Sequence, residues 1–267
     1  MNQTQPVLFV PHGAPTFALR PGAAGAALVA KAATLALPRA IVIVSAHWDT
    51  AVPTVGFAEK LETIHDFWGF PEALYAIRYP ASGCPEASRE VIAAIAAAGL
   101  PVASDATRGL DHGAWVPLRL MFPDAEVPVI PLSVQSRGGA GQAYRLGQAL
   151  APLAAQGFLI IGSGSITHNL GDYQAAWQNG GQTPAYVREF ADWLAAQTTA
   201  GNLPALLDYR RQAPAGVQAH PSEEHLLPFH VALGAGGENA RTTRFHAGID
   251  DYVIAMDAYA FEQGEPQ

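Results

Sequence analysis

A single cysteine, Cys84, in 267 residues leaves no internal disulfide and no thiolate metal cluster. Charge is also scarce: charged residues make up 14% of the chain, the formal net charge is −8, and no run of lysine or arginine occurs. A surface built to neutralise nucleic-acid phosphates is therefore excluded. No apolar stretch approaches the ~20 residues of a membrane-crossing helix, so no membrane partner is expected. Met1-Asn2-Gln3-Thr4-Gln5 lacks the basic start of a secretory signal, and Val7 to Val10 is too short for its apolar core. There is no internal repeat, low-complexity tract or long linker. What is present is a 49% hydrophobic chain, expected to be a cytoplasmic globular protein with one domain over residues 1–267.

Short runs rich in β-branched and aromatic residues read as buried parallel strands: 7–10, 40–44, 127–134, 158–161 and, late in the chain, 252–256. Alanine-rich segments between them read as helices. Residues 85–98 open on Pro85 and stop at Gly99, 139–156 stop at Gly157, and 184–199 open on Pro184. Strands alternating with helices predict an α/β fold, a single domain with a central, mostly parallel sheet flanked by helices.

Nine histidines are unevenly placed on that frame. His12, His47 and His168 each fall just past a predicted strand, and open α/β sheets bind ligands beyond the carboxyl ends of their strands. Neutral imidazoles and a carboxylate drawn from distant parts of a chain are a ligand set for iron(II) or zinc. His12 is stiffened by Pro11 and Pro15; its plain structural alternative is a turn histidine at a helix start. His47 precedes Trp48 and has a satisfied core histidine as its alternative. His168 follows Gly162-Ser163-Gly164-Ser165, read as a turn presenting His168 and nearby hydroxyls such as Ser165 to substrate, since the glycines lack a phosphate loop's extension and lysine.

Asp111 in Gly109-Leu110-Asp111-His112-Gly113 has a structural explanation as a helix N-cap. His112 lacks one and is a candidate proton donor beside the metal. His65-Asp66-Phe67-Trp68-Gly69-Phe70-Pro71 reads as a lid or pocket wall, and Phe67, Trp68, Phe70 and Trp48 suit a flat ring. Ser222 reads as an N-cap, with Glu223 and Glu224 favoured in the first turn by the helix dipole. His225 gains nothing from a helix start as a cation and fits better as a neutral ligand. His230 and His246 have no supporting context.

Together, Pro11-His12-Gly13-Ala14-Pro15, Ser45-Ala46-His47-Trp48, His65 to Pro71, Gly109 to Trp115, Thr167-His168-Asn169-Leu170 and His220-Pro221-Ser222-Glu223-Glu224-His225 resemble the class III extradiol ring-cleavage dioxygenases. The likeness is closest to the single-chain 4,5-DOPA extradiol branch. The resemblance implies extradiol cleavage of a catechol by O2 at a mononuclear metal, iron(II) in the active form with zinc able to occupy the pocket. It implies His12, His47 and His225 as metal ligands, with Glu224 as the alternative third ligand. His168 would be the active-site base or a fourth ligand to zinc, and His112 a second catalytic histidine. Substrate contacts would come from Trp48, His65, Phe67 and Ser165. A monomer or homo-oligomer would suffice, with no obligatory second subunit. Two rivals share the site: a zinc hydrolase using Glu224 or Asp111 as base, and a non-catalytic binding member of the fold.

Overall fold

The computed structural model describes residues 4–262. Ten strands are present among them: β1 (Val7–Pro11), β2 (Ala40–Asp49), β3 (Thr54–Gly56), β4 (Ala103–Asp105), β5 (Val129–Val134), β6 (Phe158–Gly164), β7 (Arg241–His246), β8 (Ile249–Asp250), β9 (Ile254–Ala255) and β10 (Ala258–Glu262). Eight of them form one sheet in the order β4-β3-β5-β2-β6-β1-β10-β7. The centre, β5-β2-β6-β1, is parallel, whereas β10 runs antiparallel to β1 and β7 to β10. The four central strands are fully buried along their apolar runs, which is why they carry no polar alternation.

Helices cover both faces. Helices Gly139–Ala154 and Leu227–Gly236 pack together, the latter on β6, β1 and β2. On the other side, helix His112–Met121 packs on β2 and β6 and against helix Gly22–Ala32. None of the described helices is long and apolar enough to cross a membrane.

Three sequence readings need correction. The strand expected at 158–161 continues through Gly164, so Gly162 and Gly164 are strand residues and not a turn. Their glycine identity has a packing cause: a Cβ at either would lie 2.1 Å from a backbone oxygen, that of Pro228 or His225. The strand expected at 252–256 is mostly a turn. Asp251 and Tyr252 both have positive φ, only Ile254–Ala255 pair with β8, and the sheet strand lies later, at Ala258–Glu262. Ser222 is not an N-cap, because the helix starts at Leu227 and Ser222 Oγ donates to Glu224 Oε1 instead.

His230 has a purely structural role. It is fully buried, with its ring nitrogens 3.2 Å from Leu226 O and 3.0 Å from Leu206 O. Burial pushes its pKa from 6.5 down to about 4, against the opposing pull of those two carbonyls. The unfolded chain thus binds this proton more tightly, so the contribution is complete above pH 6.5 and disappears as pH falls towards about 4. At about pH 5 the loss amounts to about 2 kcal/mol. Urea unfolding at about pH 7.5 and about pH 5 should therefore show a smaller acid destabilisation in His230→Gln than in the parent. Equal losses in the two proteins would refute the assignment.

Candidate metal centre

Sheet register places the first ligand candidates side by side. Val10 and Ser45 both lie level with Ser163 of β6, the strand between theirs. Two residues on, and so on the same face, stand His12 and His47. β2 runs on to Asp49, which puts His47 within the strand and not after it. Helix His112–Met121 brings His112 over this face; its N-cap is Asp111, which accepts from Ala114 N and is also held by Ser45 and Arg108. Gly113 permits the approach, since a Cβ there would meet Ser45 Oγ at 2.4 Å and His47 Cδ2 at 2.9 Å.

His168 and His225 arrive on two loops that are tied together. Ser165 N donates to His225 O at 2.9 Å, His168 N to Ala219 O at 2.9 Å, and Asn169 Nδ2 to Gln218 O at 2.8 Å. The buried His220 ring sits 2.8 Å from Ile166 O through Nε2. The His168 and His225 rings stack with centroids 3.5 Å apart and planes 7° apart.

Ligand atoms fall into two groups, each within 4.8 Å: His12, His47 and His112, and His168, Glu224 and His225. The groups adjoin, with the His225 ring 5.4 Å from His12 and 4.9 Å from His47. In four of these rings Nδ1 is already engaged. His12 Nδ1 lies 3.0 Å from Ser163 Oγ, which gives its own proton to Gly113 O and must accept. His112 Nδ1 lies 3.0 Å from Asp66 Oδ1, His47 Nδ1 lies 3.4 Å from Asp66 Oδ2, and His225 Nδ1 lies 3.1 Å from Glu224 Oε1. A proton fixed on Nδ1 leaves the lone pair on Nε2.

The nearest pair makes the consequence explicit. His12 Nε2 and His47 Nε2 are 3.1 Å apart. With both protons on Nδ1, this contact is two facing lone pairs, repulsive unless a cation lies against both. Metal–nitrogen bonds of roughly 2.0–2.1 Å put neighbouring ligand nitrogens roughly 3.0–3.4 Å apart, so the donor set fits a metal ion.

Burial favours the neutral form of His12, His47, His168 and His225. It is the first cause, ahead of repulsion between neighbouring imidazoles, that pushes His12 and His225 well below 6.5 and His47 to about 3. His168 is lowered to about 4, again chiefly by burial. Asp66 goes the opposite way to most buried acids. Burial raises its pKa, but the hydrogen bond and charge of His112 outweigh that and hold it at about 2, ionised.

Residues 21–253 match the family described as the catalytic LigB subunit of aromatic ring-opening dioxygenase. The chain belongs to the LigB family. The Beta vulgaris protein called 4,5-DOPA dioxygenase extradiol is 43% identical over 225 residues, 84% of this chain and 83% of its own length. The Escherichia coli K12 protein of the same name is 35% identical over 264 residues, covering 96% and 94%. The crystal structure of an uncharacterized Escherichia coli K12 protein superposes with a TM-score of 0.76 at 27% identity, covering 96% of this chain and 99% of that one. This LigB-family chain is accordingly an oxidoreductase of the dioxygenase class, and its histidine cluster suits the metal such enzymes use.

The remaining site candidates are scattered around the cluster. Phe67 meets His112 edge-on, 5.7 Å between centroids. His65 turns away, its Nε2 3.1 Å from Ile77 O and its ring against Phe67, Tyr75 and Trp115. Trp48 is buried beneath the Arg108 guanidinium, 4.9 Å from its ring centre. Ser165 Oγ donates to Thr167 O, within its own loop. Trp68 is 86% exposed and forms no wall.

Asp66 and Ser163 are the residues that sequence reasoning missed. Each is one position from a residue it singled out or inside a motif it quoted, but only the fold reveals that they anchor imidazoles. In this LigB-family site, Asp66→Asn should loosen His47 and His112 together and weaken zinc or iron(II) binding roughly tenfold, the usual scale for an outer-shell partner. Chelator competition measures this; an unchanged affinity would remove Asp66 from the site's support.

Proposed function

We propose that the protein cleaves a catechol ring by extradiol addition of O2, with iron(II) held by Nε2 of His12, His47 and His225. The observation that carries this reading is the convergence of Nδ1-anchored imidazoles from β2, from the end of β1 and from the loop before helix Leu227–Gly236, in a chain of the LigB family. Glu224 then orients His225 through Oε1, which also accepts from Ser222. His168 stays off the metal. An imidazole donates in its own plane, and two parallel rings 3.5 Å apart cannot both aim at one ion.

Iron(II) held there would supply Lewis acidity towards the catechol hydroxyls and the electron density that lets dioxygen react with the ring. The chain's own groups manage protons and position. Neither ring nitrogen of His168 is hydrogen-bonded among the described residues, so it takes the catechol hydroxyl proton there. His112, held through Nδ1 by Asp66, handles a proton at Nε2 beside the oxygen. Phe67 limits the pocket next to His112 and excludes water from that side. Both atoms of O2 end in the product, a yellow semialdehyde acid, and no other reductant is consumed. The names of the relatives make DOPA the first compound to try.

A zinc hydrolase would need a carboxylate base: Asp111 is committed to Ser45, Arg108 and the helix start, and Glu224 engages His225 and Ser222 through Oε1. One kind of chain suffices, because every proposed group comes from this sequence.

Anaerobic loading with iron(II), then oxygen and a catechol panel, should give oxygen uptake matched to a yellow product. His168→Ala should retain iron and lose about a hundredfold or more in kcat. Absence of ring opening from any catechol with iron fully bound would reject the reading, and full activity in His168→Ala would reject the assigned base.

A further inference from the structure

His168 differs from the other imidazoles of the cluster in how it is held. His12, His47, His112 and His225 each have Nδ1 against an oxygen of Ser163, Asp66 or Glu224, whereas neither ring nitrogen of His168 is hydrogen-bonded among the described residues. Stacking on His225 fixes the plane of its ring but not where the ring slides within that plane. Its position must therefore come from the backbone. On one side, His168 N donates to Ala219 O at 2.9 Å. On the other side stands a buried hydroxyl.

Thr167 is completely buried, and its hydroxyl is used twice: Oγ1 donates to Val253 O at 2.8 Å and accepts from Ala255 N at 2.8 Å. Ile166 N adds a third bond, to Ala255 O at 3.2 Å. The segment they grip is a stiff hairpin. β8 pairs antiparallel with β9, and Met256 N donates to Gly248 O at 2.8 Å. At the hairpin's base the buried Asp257 pairs with Arg244 at 2.9 Å. Its tip carries two consecutive left-handed residues, Asp251 (φ 46) and Tyr252 (φ 64), a conformation that non-glycine residues keep only where the surroundings fix it. The Tyr252 ring stacks on Tyr173 of helix Leu170–Gln178, 6.2 Å between centroids. The hairpin thus holds the chain both before and after His168.

We propose that Thr167 is a positioning residue for His168, its hydroxyl fastening that histidine to the 249–255 hairpin so that the ring stands where proton transfer needs it. The assignment rests on the base role proposed above for His168 and adds the group that sets its place. Consecutive Cα atoms are only roughly 3.8 Å apart, so a shift of Thr167 passes directly to His168. Serine can make both hydroxyl bonds. Valine keeps the shape of threonine but neither donates nor accepts, and it leaves Val253 O and Ala255 N unpartnered in the interior. The chain then relaxes by drawing 166–167 away from the hairpin, and His168 moves with it across the face of His225.

Kinetics of the iron-loaded enzyme and crystal structures of the zinc-loaded protein test this together. Thr167→Val should lower kcat for DOPA about tenfold, the scale of a sub-ångström misplacement, with KM and iron content within about twofold of the parent. Thr167→Ser should bring kcat back to within about twofold. Because the loss passes through His168, adding Thr167→Val to His168→Ala should cost less than about twofold more. The zinc-loaded Thr167→Val structure should show the His168 ring displaced while His12, His47 and His225 stay in place. A Thr167→Val kcat equal to the parent's, or a tenfold loss that persists in the His168→Ala background, would overturn the assignment. Should Thr167→Val not fold, Thr167→Cys, of similar size and a weaker donor, takes its place with the same expectations. A parent that opens no catechol, or a fully active His168→Ala, refutes the cleavage or base reading by itself. The zinc-loaded structures then decide the contact alone: a displaced ring supports the positioning role, and an unmoved stack rejects it.

Discussion

Everything in this molecule depends on one constraint: imidazole lone pairs can face each other in a dry interior only if a cation compensates them. His12 Nε2 and His47 Nε2 stand 3.1 Å apart, with Ser163 and Asp66 on their far sides. Such a contact is costly in an empty protein and favourable around a metal. The sheet order makes it possible, because β1 and β2 flank β6 and bring two chain segments 35 residues apart into register. The glycines of β6 serve the same end on the opposite face, where Gly162 and Gly164 let the His225 segment pack directly on the strand. Ser163, between them, points the other way and anchors His12. Three consecutive residues thus set two sides of the centre.

The second support is the ladder between the loops of residues 165–169 and 218–225. Its bonds run through backbone groups, the Asn169 amide and the His220 ring, and together they fix the stacking of His168 on His225. This is the only pair in the cluster held face to face among the described residues. One imidazole of the pair is oriented by Glu224, while its neighbour keeps unengaged ring nitrogens among the described residues, as the proposed base requires.

Much of this is legible in the amino-acid sequence alone. His12, His47 and His168 can be placed near the carboxyl ends of strands because the preceding runs are apolar and β-branched, although β2 runs on through His47 to Asp49 and His168 lies four residues beyond β6. Strand order is not legible, since nothing local in Val7–Val10 or Ile41–Val44 says that β6 lies between them. The strand expected at 252–256 fails for a definable reason. Val253 to Met256 are buried and apolar, but Asp251 and Tyr252 adopt positive φ, so burial there comes from a turn. Ser222 fails as an N-cap because its hydroxyl has a closer acceptor in Glu224. Asp66 is hidden among aromatics that look like a lid, and its role depends on a contact 46 residues away. His230 has no sequence context to distinguish it and is a buried packing residue.

Which atoms hold the metal is decided most directly by a crystal structure of the iron(II)-loaded protein, prepared without oxygen. Nε2 of His12, His47 and His225 on the iron, with Glu224 still on His225 Nδ1 and His168 still stacked beside it, is the predicted arrangement. A Glu224 oxygen or His112 Nε2 in place of His225 would contradict it.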